Sequence, residues 1–275
     1  MRKPFKTLIA LTLAGILSLT SCTAPTYDNS GANNQPHDLS SILGQAKEGL
    51  NEYKNSLENS NEDSDGQNTS NGTVPDWNIT DYPDYYSVTG KADFTNANIP
   101  TTPSVINSQL DQYGRAGQAV GLIDKQMRDA GSDRSRDMPD DIAGWPSPNP
   151  KVTIDLGSGK HYRGYLFNRS HLIAKSLGGE DSVENMVTGT RTQNVGKNQP
   201  AGGMAYTETE ARDWLDQNPT GTITYVATPV YEGSELLPRY VTVDIKTSDG
   251  SIDQHVIVWN TANGFDIDYQ RGGVR

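Results

Sequence analysis

The sequence predicts an α+β fold, a central antiparallel β-sheet flanked by helices, preceded by a polar segment that does not join it. Three observations carry this. Residues 222–269 break into β-branched or period-2 runs separated by Gly and Asp turns such as Ser248-Asp249-Gly250, the pattern of antiparallel strands. Two stretches before them, 119–127 and 204–218, carry apolar residues at helical spacing. Hydrophobic residues make up only 33% of the chain, too few for one that is packed throughout, so a polar segment dilutes an ordinary domain.

At the N-terminus Arg2, Lys3 and Lys6 form a charged region, residues 8–19 an apolar run, and Leu19-Thr20-Ser21-Cys22 follows at once. The run falls short of the ~20 residues of a membrane-spanning helix. The tetrapeptide resembles the bacterial lipobox, which implies a lipoprotein signal peptide over 1–22. Cys22 would then be the lipidated first residue of the mature chain, holding the protein to the membrane on the outer, extracytoplasmic side of a bacterial cell. Cys22 is the one cysteine, so an intrachain disulfide and a multi-thiolate metal site are excluded.

Residues 23–75 are Asn, Ser, Gly, Asp and Glu with few aromatics, and cannot bury enough apolar surface to offset the entropy of ordering. They read as a tether. Within it, 40–57 has Leu43, Ala46, Leu50 and Leu57 near helical spacing, enough for a transient helix only.

The folded domain is assigned to 76–275, opening near Trp77. Residues 81–86 and 100–103 are proline-punctuated lead-ins, and 119–127, with Ala119, Val120, Leu122, Ile123 and Met127, suits an amphipathic helix covering the sheet. Residues 133–150, rich in Asp, Arg, Pro and Gly, run over the surface, with Gly144-Trp145 as a packing anchor. Strands are expected at 152–155, 162–167 and 184–189, a helix starting at 190–195, and a second at 204–218, stopped by Asn218-Pro219. Strands at 222–230, 239–245, 255–260 and 265–269 complete the sheet.

A net charge of −11 argues at first against a polyanionic partner, but the charge is uneven. Residues 23–75 hold two lysines against eight carboxylates, whereas 160–197 holds six cations against Glu180, Asp181 and Glu184. A basic island on an acidic chain suits an enzyme that must release a polyanionic product.

Hydrolysis of a phosphodiester needs a base near neutral pH, a cation to stabilise developing charge, and groups that position phosphate. Of four histidines, His37 lies in the tether, His255 sits in a strand pattern as a half-buried sheet residue, and His161 opens a strand where surface placement and phosphate contact both fit. His171 differs: it closes a strand, follows Arg169, and precedes the apolar Leu172-Ile173-Ala174 that would hold it rigidly.

The stretch Asn168-Arg169-Ser170-His171-Leu172-Ile173-Ala174, with Gly178-Gly179, Asn185, Asn194 and Glu208-Thr209-Glu210-Ala211-Arg212, resembles the DNA/RNA non-specific endonucleases of the ββα-metal superfamily. The likeness is to the DNA-entry and streptococcal secreted nuclease branch, and runs from about Gln109 to the C-terminus. It implies a ββα-metal active-site motif and cleavage of DNA, with RNA alongside because phosphate contacts are blind to the sugar. His171 would be the general base and Asn194 the direct ligand, through its amide oxygen, of Mg²⁺ or in its place Mn²⁺. Glu208 would hold a metal-bound water, Arg212 would lie on the same helix face, and Arg169 would meet phosphate. Asn185 would pin the loop beside His171.

Two positions depart from the family pattern of Asp-Arg-Gly-His. Asn168 replaces an aspartate and loses a charge, and Ser170 replaces a glycine, which requires a backbone without positive φ or with mild strain. These departures are the sole support for an alternative, a catalytically lapsed surface lipoprotein that captures DNA. A structural or adhesion domain would leave Arg169, His171, Asn194 and Glu208 without a common purpose.

Overall fold

The computed structural model describes residues 74–275, apart from 134–136 and 198. The signal-like segment with Cys22, nearly all of the tether, and His37 lie outside the described residues. Among the described residues no helix is long and apolar enough to cross a membrane.

The fold is α+β and its centre is a six-stranded antiparallel sheet. The strands are β1 (Tyr86–Gly90), β2 (Ser104–Asn107), β3 (Ala119–Asp124), and, from the C-terminal part, β8 (Thr222–Val230), β9 (Tyr240–Thr247) and β10 (Asp253–Trp259). Their spatial order is β1-β10-β9-β8-β3-β2. β8, β9 and β10 are consecutive in chain and space, and their register places Tyr225 opposite Ile245 and Val243 opposite Val256. Those side chains are fully buried. They face helix α3 (Met204–Gln217), whose Met204, Ala211, Trp214 and Leu215 fill one core with Ile223, Val241 and the segment Leu172, Ile173 and Leu177.

Two smaller pairs stand apart from this sheet: β4 (Lys151–Asp155) with β5 (His161–Tyr165), and β6 (Phe167–His171) with β7 (Met186–Thr190). Helix α2 (Arg191–Val195) follows β7 directly, with Thr190 as N-cap: its hydroxyl accepts the N–H of Gln193 at 3.0 Å. β6, β7 and α2 thus form a ββα unit. A second core of Ile154, Leu156, Leu166, Phe167, Leu237 and Ile267 fixes the β4–β5 hairpin to this unit.

The sheet departs from the sequence reading in particular places. Residues 119–124, expected as helix, are strand β3 in the interior of the sheet between β2 and β8. A continuous apolar run fits a strand buried on both faces as well as a helix, and Ala119, Val120 and Gly121 are all buried. The helix begins only at α1 (Lys125–Asp133), where the Asp124 carboxylate accepts the Met127 N–H at 2.8 Å.

Residues 265–269 form no strand and contribute a single bridge, Ile267 to Val274. Their alternation is real but serves packing: Phe265, Ile267 and Tyr269 point into the second core. Residues 162–167 are not one strand either. The chain turns at Leu166, whose N–H donates to Pro150 O at 2.8 Å, so the motif residues occupy a separate strand, β6. The edge strands β1 and β2 were not expected; half-exposed and short, they carry no clear alternation.

Candidate active site

The C-terminal end of β6 delivers Asn168, Arg169 and His171, α2 delivers Asn194, and α3 delivers Glu208 and Arg212. All six line one cleft of about 1200 Å³ together with Trp145, Lys151, Tyr165 and Lys175. Residues separated by as many as 44 positions therefore meet because β7 returns antiparallel to β6, pairing His171 with Met186, α2 packs against both strands, and α3 packs against α2.

His171 is 14% exposed at its side chain, and its Nε2 lies 2.7 Å from Asp181 Oδ1. The second carboxylate oxygen of Asp181 accepts the Asp137 N–H at 3.0 Å. The loop carrying Asp181 is held in turn by Asn185, which is fully buried. Its amide oxygen accepts Ile173 N–H at 3.0 Å, and its amide nitrogen donates to Ile173 O and Glu180 O, each at 2.9 Å. Gly179 is required where this loop crosses its own start: a Cβ there would sit 1.8 Å from Ile173 O.

Asn194 turns its amide oxygen toward the hydroxyl of Ser170, which donates to it at 3.3 Å. Ser170 is buried in β6 and is not among the residues with positive φ, so the hydroxymethyl group replaces a glycine without backbone strain. Asn168 pairs across β6–β7 with Gly189 and lines the cleft as a neutral amide.

Glu208 is nearly buried and faces Arg212, whose Nη1 is 3.8 Å from Glu208 Oε2. Burial pushes the carboxyl pKa up to about 7, and the Arg212 charge opposes that rise. Arg212 is itself fixed by Ser176 Oγ at 3.1 Å and Thr209 Oγ1 at 2.9 Å, accepting from its two terminal nitrogens. Arg169 stacks its guanidinium 4.0 Å over the Trp145 ring and donates to Asp140 O at 3.2 Å, while its Nε has no hydrogen-bond partner. Trp145, expected only as a packing anchor, does pack on the second core but also forms a wall of the cleft beneath Arg169.

The other described histidines stand elsewhere. His161 is exposed on the β4–β5 hairpin, 3.8 Å from Asp155, and His255 is half-buried on β10 against Asp244. Asp181 is the residue sequence reading missed. It counted there as one of three counter-charges to the basic island, and the signal that marks it is a carboxylate just beyond the Gly178-Gly179 turn that follows His171.

Residues 100–249 match the profile of the DNA/RNA non-specific endonucleases. The chain belongs to that family. Among curated proteins the chain is similar to a deoxyribonuclease of Streptococcus dysgalactiae subsp. equisimilis. The two are 32% identical over 242 residues, covering 70% of this chain and 73% of the relative. Among solved structures it is similar to the Sda1 nuclease with a bound zinc ion. That match has 37% identity and a TM-score of 0.64, covering 73% of this chain and 99% of the other. NucA from Streptococcus agalactiae with magnesium bound shares the fold at a TM-score of 0.54 and 22% identity, over 72% of this chain and 93% of that one. Membership makes the protein a nuclease, a metal-dependent hydrolase of nucleic acid.

Proposed function

We propose that the domain cleaves DNA endonucleolytically without strong sequence preference, with RNA as a second substrate, His171 acting as general base and Asn194 as the direct metal ligand. The observation that supports this most is the convergence of β6, α2 and α3 on one cleft, which sets a histidine, an amide oxygen, a buried carboxylate and two guanidiniums around a common space.

The donor set fits a hard cation. Among the described residues no three His, Cys, Asp or Glu side chains are grouped to hold a metal, so the cation would rest on Asn194 Oδ1 and otherwise on water. This is the manner in which Mg²⁺ is commonly held, and Mn²⁺ accepts the same ligands. A nearly buried carboxylate opposed by one arginine gains most from such a charge, which supports Glu208 as the residue that would hold a metal-bound water. A bound cation would supply Lewis-acid stabilisation of the charge that develops on the phosphate and the leaving oxygen.

The chain's own residues supply the rest. His171 takes the proton of the attacking water, and Asp181 keeps the ring in place as it becomes charged. Arg169, stiffened by Trp145, and Arg212, held by Ser176 and Thr209, meet the non-bridging phosphate oxygens, for which a planar guanidinium fork is suited. Asn185 supports His171 through the loop it pins, and Asn168 contributes a neutral hydrogen-bonding wall.

Supercoiled plasmid tests the reading: wild-type protein should nick it with Mg²⁺, stop in EDTA, and recover on adding Mg²⁺ or Mn²⁺, while His171→Ala should bind but not nick. Undiminished nicking by a clean His171→Ala preparation removes His171 as base. A wild-type protein that only retards DNA, with no cleavage under any metal, makes the chain a lapsed DNA-capture lipoprotein.

The same proposal extends to placement: 1–22 as signal peptide, 23–75 as tether, 76–275 as catalytic domain, and Cys22 as the lipidated anchor to the outer face of a bacterial membrane. Cys22→Ala should move the protein from the membrane fraction to the medium and abolish labelling by radioactive palmitate; continued membrane retention without label would exclude the anchor.

A further inference from the structure

The cleft does not end at the catalytic residues. Lys151, Tyr162 and Tyr165 line it and also line a shallower groove that continues along the β4–β5 hairpin to Arg163. The hairpin register opposes Lys151 to Tyr165 and Thr153 to Arg163, so alternation places these four side chains on one face. All four are exposed, and Tyr165 is one of few large hydrophobic side chains on the surface, at 50% exposure.

Several cations elsewhere are neutralised at close range, as Lys125 and Arg128 are by Asp129 and Asp216, Arg239 by Glu235, and Lys246 by Asp253. Among the described residues no carboxylate pairs with Lys151 or Arg163. The one acid on that face, Asp155, lies at the far end beside His161. Lys151 Nζ instead lies 4.9 Å over the Tyr165 ring.

The face is also stiff. Tyr162, on the opposite side of the hairpin, folds across Gly164 and donates its hydroxyl to Tyr165 O at 3.1 Å. A Cβ on Gly164 would lie 2.3 Å from that hydroxyl oxygen, so the crossing depends on glycine. Arg191 caps the Tyr162 ring at 4.8 Å. The backbone of Tyr165 is therefore tied down beside the cleft.

We infer that this outward face is a substrate subsite for an unpaired strand flanking the scissile phosphate, with Tyr165 stacking a base and Lys151 and Arg163 taking phosphates. A duplex keeps its bases stacked and offers such a face phosphates alone, whereas a single strand can place a base on the ring. The inference rests on the nuclease reading above for which phosphate is cut, but predicts binding that is independent of cutting.

The experiment uses the full chain carrying His171→Ala, in EDTA, and follows fluorescence anisotropy of a labelled single-stranded oligonucleotide and a duplex of the same length. Adding Tyr165→Ala should weaken the single strand on the order of tenfold and the duplex little, and Tyr165→Trp should restore binding. Lys151→Ala and Arg163→Ala should each weaken both ligands and reduce the salt slope of log affinity by about one. Equal single-strand affinity in Tyr165→Ala, or unchanged salt slopes in both cation variants, overturns the subsite. Thermal unfolding of each variant separates lost binding from lost fold. Failure of the parent reading shows differently: nicking by His171→Ala removes the base assignment while leaving these binding differences in place.

Discussion

Asp181 Oδ1 lies 2.7 Å from His171 Nε2, with the two side chains 11% and 14% exposed, so the imidazole meets a carboxylate in a setting that water screens poorly. A carboxylate accepts only from a protonated nitrogen, so this contact calls for a ring proton on Nε2. In the proposed mechanism Asp181 is thereby a positioning residue: it would select the tautomer and stabilise the imidazolium formed when His171 takes the proton of water. Asp181→Asn should lower kcat roughly 10- to 100-fold with KM little changed, and Asp181→Glu should recover part of the loss. Nitrogen-15 chemical shifts of His171 give the independent readout: wild type should show the Nε2–H tautomer, and an Nδ1–H tautomer would remove Asp181 from this role.

Ser170 explains how the departure from glycine is tolerated. Its hydroxyl donates to Asn194 Oδ1 at 3.3 Å and ties the amide to the buried strand. An oxygen lone pair remains for a cation, since a carbonyl oxygen has two. Ser170→Ala should raise the Mg²⁺ concentration for half-maximal activity about fivefold, the equivalent of one ordinary hydrogen bond, with kcat at saturating metal nearly intact. No change in the metal titration would mean that the hydroxyl serves β6 alone.

The places where sequence reading succeeded and failed have physical causes. The expected bounds of β8, 222–230, match those observed because one side of that strand packs against α3 while alternate residues stay half exposed, so burial imprints a period of two. β3 lost that imprint by being buried on both faces, and 265–269 kept it without being a strand, because packing into the second core asks for the same alternation as a sheet. At the site, His171, Asn194, Glu208 and Arg212 could be named from the family resemblance, and one cleft gathers them. Asp181 and the hairpin face could not. Their meaning lies in a turn and in a register, and a carboxylate or lysine in sequence reads first as a solvated charge.

His255 provides a test of electrostatics away from the cleft. Its Nδ1 lies 2.7 Å from Asp244 Oδ1, and that carboxylate, only 9% exposed, also accepts the Asp93 N–H at 2.8 Å. The hydrogen bond to Asp244 raises the histidine pKa, burial opposes the rise, and the nearby Asp93 charge adds to it. A pKa raised on folding means that the protonated pair stabilises fully below the unfolded value near ~6.5, and that this stability fades as pH rises through the folded value. The gap in melting temperature between wild type and His255→Gln should therefore be widest in mild acid and shrink on the alkaline side. A gap that is constant with pH would assign His255 a packing role only.

Asn185 should be the most sensitive residue of the site that touches no substrate. Its side chain satisfies the buried Ile173 N–H and Ile173 O and the part-buried Glu180 O, and its own carbonyl accepts the Leu172 N–H at 2.9 Å. Asn185→Ala leaves the two buried backbone groups of Ile173 without this partner, at a cost of about 2–4 kcal/mol once partial relaxation is allowed. Asn185→Asp should be worse at neutral pH, because a carboxylate would face two carbonyl oxygens that formerly accepted hydrogen bonds from it. Urea unfolding should show lower midpoints in the order wild type, Ala, Asp, at similar slope. Because Glu180 immediately precedes Asp181, the folded fraction of Asn185→Ala should also lose kcat as Asp181→Asn does, with the His171 nitrogen signals broadened or moved. Full specific activity in that folded fraction would show that Asp181 keeps its place without the loop that Asn185 ties down.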